Sequence, residues 1–125
     1  YYTTMDGMYD KYLNNPNDSE YYLPKKMRDL YQKQDYGRYG DKDGRLRVCF
    51  LTDAHTTSGN SGSAVVNAKG ELVGINFDRL WQGVASDYRY NRDICRNIVV
   101  DIRYILFVLE KYAPSSYVFD EIHIE

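Results

Sequence analysis

Two short apolar runs in the middle of the chain flank a four-residue turn, and this pattern constrains the fold more than any other. Ala64-Val65-Val66 and Leu72-Val73-Gly74-Ile75 lie on either side of Asn67-Ala68-Lys69-Gly70. Glycine at a turn adopts backbone conformations that are closed to other residues, so the segment predicts a β-hairpin. The chain must therefore build a sheet around this hairpin.

Two further strands are predicted outside the hairpin. Leu46, Val48 and Phe50 alternate with polar or small residues, which is typical of a strand with one buried face. Ile98-Val99-Val100 is a short apolar run that predicts another strand. The predicted fold class is mainly β with flanking helices.

Helical periodicity is confined to the two ends of the chain. Apolar residues recur at helical spacing from Met5 to Leu13, and Pro24 stands where the first residue of a second helix is expected, with Gly37 and Gly40 near its end. Asp101 is predicted to cap a third helix that Pro114 ends. We therefore divide the chain into a helical lead-in over residues 1–40 and a strand-bearing part over residues 41–125 that includes this C-terminal helix.

Composition excludes several classes of function. The 16 basic and 18 acidic residues nearly balance, which argues against a nucleic-acid binder. The longest apolar run, Tyr104 to Leu109, is too short to span a membrane. Cys49 and Cys95 are far apart in sequence and indicate no zinc site; a buried free thiol is favoured for each, and a disulfide between them stays open. Nothing in the sequence indicates a metal or another cofactor.

The loop from Thr57 to Ser63 is the one segment that suggests chemistry. A serine nucleophile needs a sharp turn that exposes its hydroxyl and directs N–H groups at the oxyanion formed on attack, and Gly59 and Gly62 permit such a turn around Ser61. A flexible Gly/Ser loop is the simpler interpretation, but the strand before the loop and the hairpin after it weaken that interpretation. An anion-binding loop is disfavoured because the loop contains no lysine and no helix start follows it.

The loop resembles the nucleophile loops of serine peptidases. Trypsin-like enzymes have Gly-Asp-Ser-Gly-Gly-Pro before a similar hairpin, and the S46 dipeptidyl-peptidases have Gly-Asn-Ser-Gly-Ser-Pro. Residues 59–64 read Gly-Asn-Ser-Gly-Ser-Ala, so only Ala64 departs from the S46 pattern. The resemblance to this family continues through the segments at residues 35–39, 48–52, 70–78 and 100–107.

The resemblance implies a larger enzyme. Members of the family are serine exopeptidases with two trypsin-like β-barrels and an inserted helical domain, and this chain is similar to their C-terminal stretch, with part of the second barrel in residues 41–125. The triad histidine and aspartate come from the first barrel, so the chain alone is expected to be inactive. The resemblance further implies dipeptide release from peptides with a free N-terminus, a periplasmic location and a homodimer.

The resemblance also implies roles for four residues. Ser61 corresponds to the nucleophile and Gly59 to a donor of the oxyanion hole. Asp78 matches the position that contacts the free amino group of the substrate, and Arg79 matches an arginine of members that cleave after Asp or Glu. A guanidinium can hold such a carboxylate with two hydrogen bonds. The simpler alternative is a solvated Asp-Arg pair at the end of a strand.

Other assignments compete with this one. His55 lies six residues before Ser61, but a base on the same tight loop is poorly placed to reach the nucleophile, and His123 lies in the tail. An exposed or loop-packing histidine is therefore the favoured interpretation for both. A catalytically inactive, protease-like module that only binds peptides would show the same sequence, and an endopeptidase is the second choice among enzymes.

Overall fold

The computed structural model describes residues 1–54, 56, 60–79 and 96–124. This part of the chain holds five strands that form one antiparallel sheet in the order β1-β2-β5-β4-β3. The strands are β1 (Tyr2–Thr4), β2 (Arg47–Thr52), β3 (Ala64–Val66), β4 (Leu72–Arg79) and β5 (Asn97–Asp101). A sheet with flanking helices is therefore confirmed.

The hairpin that the sequence predicts is formed by β3 and β4. Its turn closes through the Gly70 N–H, which donates to the Asn67 carbonyl at 3.0 Å, and Gly70 has a φ of 79°. The Asn67 side-chain oxygen also accepts from the N–H groups of Lys69 and Glu71 at 2.9 and 3.1 Å. Glycine thus fixes the turn through the property that predicted it, and the Asn67 side chain adds two further bonds.

The helices lie before and after the strands. They are α1 (Met5–Asn14), α2 (Lys25–Lys33), α3 (Ile102–Phe107), which continues as a π-helical turn (Val108–Tyr112), and α4 (Ser116–Glu121). The predicted Asp101 cap is confirmed, because its side chain accepts from the Arg103 N–H at 2.9 Å.

The predicted bounds of the second helix were wrong at both ends. Pro24 has ψ 147°, which is extended, so it caps α2 instead of being its first residue. The helix then ends at Lys33, ahead of the glycines. Gln34 adopts a left-handed conformation with φ 51°, and its N–H bonds to the carbonyls of Leu30 and Tyr31, which closes the last turn early.

The core lies between the helices and one face of the sheet. Met5, Leu46 and Phe107 are each 0% exposed, and Met27 and Leu106 pack with them. Tyrosines also pack here: Tyr36 and Tyr39 are buried, and burial raises the pKa of Tyr36 to about 12.

The lead-in of residues 1–40 shares this core with the rest of the chain. Strand β1 pairs with β2 at the edge of the sheet, and α1 places Met5 in the same cluster as Phe107. The domain boundary at residue 40 therefore stays a prediction. Neither β1 nor α4 was predicted from the sequence.

Two remaining expectations concern Cys49 and the membrane. Cys49 is a free, half-buried thiol on β2, and burial raises its pKa. Cys95 lies outside the described residues. Across the described ranges, no helix has the length and apolar character that spanning a membrane requires.

Candidate functional site

Ser61 lies on a turn between β2 and β3, and its side chain is exposed. The turn is sharp because Gly62 follows with a φ of 86°, in the left-handed region that favours glycine. This is the position that the sequence predicts for a nucleophile, although its catalytic role stays a prediction. His55 and Gly59, which the sequence also singles out, lie outside the described residues, and so does Trp81.

Main-chain hydrogen bonds hold this turn against strand β4. The Gly62 N–H donates to the Asn76 carbonyl at 2.7 Å, and the Asn76 N–H donates to the Ser63 carbonyl at 2.9 Å. These two bonds extend the hairpin ladder to the residue after Ser61. The position of Ser61 is therefore tied to one point on β4. Ala64, the one departure from the S46 pattern, begins the exposed edge strand β3, where a proline would also fit.

The hydroxyl of Ser61 has a defined partner on the same strand. Its Oγ donates to the Phe77 carbonyl at 3.2 Å. A carbonyl oxygen can accept a hydrogen bond but cannot take the proton, so Phe77 orients the hydroxyl without activating it. A base that removes the proton during attack must reach Ser61 from another direction.

Strand β4 is irregular where it meets Ser61. The pairing with β5 shifts between Asn76 and Asp78, which leaves Phe77 as an extra residue in the ladder. Bulges of this kind re-aim the side chains that follow them. The shift therefore affects the direction of Asp78 and Arg79, the two residues that the sequence assigns to substrate binding.

Asp78 and Arg79 end β4 in different environments. Asp78 is exposed, and its Oδ1 accepts from the Arg79 N–H at 2.8 Å. Arg79 is half-buried, and its Nη1 donates to the Thr56 carbonyl at 3.3 Å, which links the strand end to the segment before Ser61. The structure thus brings Ser61, Asp78 and Arg79 to the same end of β4, while His123 is exposed in the tail after α4.

Two buried asparagines beneath the turn were missed by the sequence reasoning. Asn76 is 4% exposed and Asn97 is 1% exposed, and the Asn97 Nδ2 donates to the Asn76 Oδ1 at 2.8 Å. Asn76 follows an apolar or small run in β4 and Asn97 precedes an apolar run in β5, and this could have marked them, since a buried polar residue in a strand needs a partner. The Thr52 hydroxyl donates to the Asn97 Oδ1, and the Asn76 Nδ2 donates to the Asn60 carbonyl at 3.1 Å.

Comparison with known proteins places this chain in a family. The model of the peptidase S46 family matches residues 1–124. The Asp/Glu-specific dipeptidyl-peptidase of Capnocytophaga gingivalis is 50% identical over 123 residues, covering 98% of this chain and 17% of that protein. A dipeptidyl-peptidase 7 of the same organism is 46% identical over 124 residues, covering 99% of this chain and 17% of that protein. The chain thus spans about a sixth of the length of these relatives.

Solved structures agree over the whole described fold. The DPP11 of Porphyromonas endodontalis in complex with the dipeptide Arg-Asp is 44% identical, with a TM-score of 0.93, and the match covers 99% of this chain and 18% of that one. Its complex with Arg-Glu matches with a TM-score of 0.90 over 96% of this chain and 17% of that one. At this identity and over this extent, the likeness goes beyond a shared fold. The chain belongs to the peptidase S46 family.

Proposed function

We propose that the protein carrying this segment is a serine exopeptidase that releases dipeptides from the N-terminus of peptides and prefers Asp or Glu as the second residue. One observation carries the proposal: Ser61 stands exposed on a tight turn that is bonded to β4, just before Asp78 and Arg79. The relatives with Asp/Glu-specific names support the acidic preference.

In the proposed reaction, the Ser61 Oγ attacks the carbonyl carbon of the second substrate residue. The hydroxyl proton passes to a base, which we expect to be a histidine held by an aspartate outside this segment. The peptide bond breaks, the shortened peptide leaves as an amine with that proton, and the dipeptide remains as an ester on Ser61. Water then hydrolyses the ester. The N–H groups of Gly59 and Ser61 are proposed to stabilise the oxyanion.

Selection of the substrate is assigned to the end of β4. An exposed carboxylate at Asp78 can pair with the free amino group of the substrate, which limits attack to the second peptide bond. The half-buried Arg79 guanidinium can hold an Asp or Glu side chain with two hydrogen bonds. Both roles use residues at the end of β4, the strand that already contacts the Ser61 turn.

The remaining features of the proposal concern the whole protein. We infer that the sheet described above forms part of the second of two trypsin-like barrels, that the first barrel supplies the histidine and the aspartate, and that the protein works as a periplasmic homodimer. The segment alone is then inactive, because it holds the nucleophile without its base.

The test compares two serines of the same loop in the full-length protein. Ser61→Ala should lower kcat by several orders of magnitude on dipeptidyl substrates with Asp or Glu in second position, because only binding and oxyanion stabilisation remain. Ser63→Ala should cost far less, about tenfold, since the Asn60 carbonyl loses the Ser63 hydroxyl as a donor but keeps the Ser63 N–H.

Steady-state kinetics on both variants distinguish the possible outcomes. Equal losses for the two serines would mean that the loop matters and that Ser61 is not the nucleophile. Tight dipeptide binding by a wild-type protein that shows no turnover would instead favour a peptide-binding module.

A further inference from the structure

We propose that Thr52, Asn97 and Asn76 form a positioning relay that fixes the direction of the Ser61 N–H, and hence the geometry of the oxyanion hole. The three side chains come from β2, β5 and β4, the middle strands of the sheet. Their hydrogen bonds run in one series from the Thr52 hydroxyl to the Asn60 carbonyl. The proposal rests on the proposed function, since it assigns a role to the peptide beside the nucleophile.

The direction of this series is set by its last member, because the Asn60 carbonyl oxygen can only accept a hydrogen bond. The Thr52 hydroxyl donates to the Asn97 Oδ1, so the NH2 group of Asn97 faces Asn76. The Asn76 Oδ1 accepts that bond, so the NH2 group of Asn76 faces the Asn60 carbonyl. If the Asn76 amide were reversed, its oxygen would face the carbonyl oxygen, and two acceptors would repel each other.

The last bond of the relay acts on the peptide between Asn60 and Ser61. Its carbonyl accepts from the Asn76 Nδ2 at 3.1 Å, and also from the Oγ and N–H of Ser63 at 2.6 and 3.1 Å. Three donors, one of them from β4, therefore hold this one oxygen in place. In a planar trans peptide the C=O and N–H bonds point in opposite directions. The Ser61 N–H must then point away from Asn76.

Burial makes the relay rigid. Asn76 and Asn97 are 4% and 1% exposed, so water has little access to the groups that a broken bond would leave unpaired. Buried polar groups that lose a partner bear the full desolvation penalty, which favours the intact arrangement. Because an oxyanion hole works through donors that are aimed in advance, a relay that fixes the Ser61 N–H contributes to the reaction without touching the substrate.

Thr52 gives the sharpest test because it lies at the far end of the relay. Thr52→Val in the full-length protein keeps the shape of the side chain but removes the hydroxyl that anchors the Asn97 amide at the far end of the relay. We expect kcat to fall about tenfold or more while KM changes little, since misplacement of a catalytic donor by about 1 Å can cost roughly a hundredfold. Thr52→Ser keeps the hydroxyl and should restore most of the activity.

Thr3→Val is the matched control. Thr3 also uses its hydroxyl in the sheet, where its Oγ1 accepts from the Cys49 N–H at 3.2 Å, but it lies on the edge strand β1 and has no bond to the relay. The same chemical change at Thr3 should leave kcat at the wild-type level. Asn76→Asp should lower kcat more than Thr52→Val does, because an acceptor replaces the donor that faces the Asn60 carbonyl.

A second measurement separates an effect on the direction of the Ser61 N–H from an effect on the stability of the protein. A dipeptidyl aldehyde with Asp in second position forms a tetrahedral adduct on the nucleophile and needs the oxyanion hole. The matching dipeptidyl alcohol has no carbonyl at that carbon and does not need it. In Thr52→Val the aldehyde affinity should fall by the same factor as kcat/KM, because both report stabilisation of the tetrahedral oxygen. The affinity for the dipeptidyl alcohol should stay at its wild-type value.

The result that overturns the relay is an unchanged aldehyde affinity in Thr52→Val, or a loss of kcat equal to that of Thr3→Val. If Asn76→Asp does not fold, the Thr52 variants still decide between these outcomes. Failure of the proposed function would look different, because Ser61→Ala would then keep its activity. The relay would be wrong as well in that case, since no oxyanion would form beside Ser61.

Discussion

Arg79 ends β4 half-buried, with one of its guanidinium nitrogens bonded to the Thr56 carbonyl. A guanidinium presents its N–H donors in a planar fork, a geometry that matches the two oxygens of a carboxylate. An apolar side chain in the same place would leave a desolvated charge without that partner, which costs about 3–5 kcal/mol when a buried pair is broken. Selectivity for Asp and Glu can therefore rest on a single residue.

We predict that Arg79→Gly changes the preference of the full-length protein and does not simply inactivate it. Cleavage after Asp and Glu should fall about a hundredfold or more, since each ~1.4 kcal/mol is worth tenfold. Cleavage after apolar residues should persist or rise, because the site loses a charge and gains room. The measurement is kcat/KM on matched dipeptidyl substrates that differ in the second residue.

Arg79→Lys serves as the control for charge. It keeps a cation but loses the planar two-point geometry, so its ratio of acidic to apolar cleavage should lie between those of wild type and Arg79→Gly. A wild-type ratio in Arg79→Gly would show that Arg79 is a surface charge with no part in selection.

At the scale of elements, strands β4 and β5 approach so closely that one glycine becomes essential. A Cβ added at Gly74 would lie 2.4 Å from the Val99 Cγ1 and 2.5 Å from the Val100 carbonyl oxygen. The second neighbour is backbone and cannot move without disturbing the ladder. The pairing that positions the Ser61 turn therefore depends on the absence of a side chain at Gly74.

Gly74→Ala is predicted to lower the free energy of unfolding by about 1–3 kcal/mol, the range for an overpacked core. Gly7→Ala is the matched control, because Gly7 lies on the exposed face of α1 with nothing within 4 Å of the added Cβ. That change should stabilise the helix by about 0.5–1 kcal/mol. Denaturant unfolding of both variants gives the comparison, and equal effects would contradict the close approach.

How far the sequence predicts these elements depends on how local their causes are. The β3–β4 hairpin and the cap at Asp101 were predicted because a turn and a cap involve residues next to each other. Strand β1 was missed because three residues carry no periodicity, and only pairing with β2 makes them a strand. The early end of α2 was missed because a left-handed Gln34 has no sequence signature comparable to glycine.

The site divides in the same way. The turn at Ser61 was predicted because glycines and a hairpin surround it in sequence. Its neighbours Phe77, Asn76 and Asn97 were not, because their roles arise from a register shift and from burial, which only the assembled sheet defines. The assignment of Arg79 came from resemblance to the family, since an Asp-Arg pair at a strand end has no special pattern.

At the scale of the whole molecule, the segment supplies the nucleophile of the proposed reaction without the base that activates it. Its sheet fixes the Ser61 hydroxyl against an acceptor that cannot take the proton, and the relay fixes the neighbouring peptide. The chain spans about a sixth of its relatives, so the base and the remaining walls of the site are expected from the rest of the protein. A nucleophile prepared in this way should react only in the complete enzyme.

The most direct measurement is mass-spectrometric mapping of the full-length protein after treatment with a dipeptidyl phosphonate that has Asp in second position. Such a reagent forms a covalent bond with an activated serine and imitates the tetrahedral intermediate. The account predicts a single adduct on the peptide that contains Ser61, and no adduct in Ser61→Ala. An adduct on another residue, or one that survives in Ser61→Ala, would contradict it.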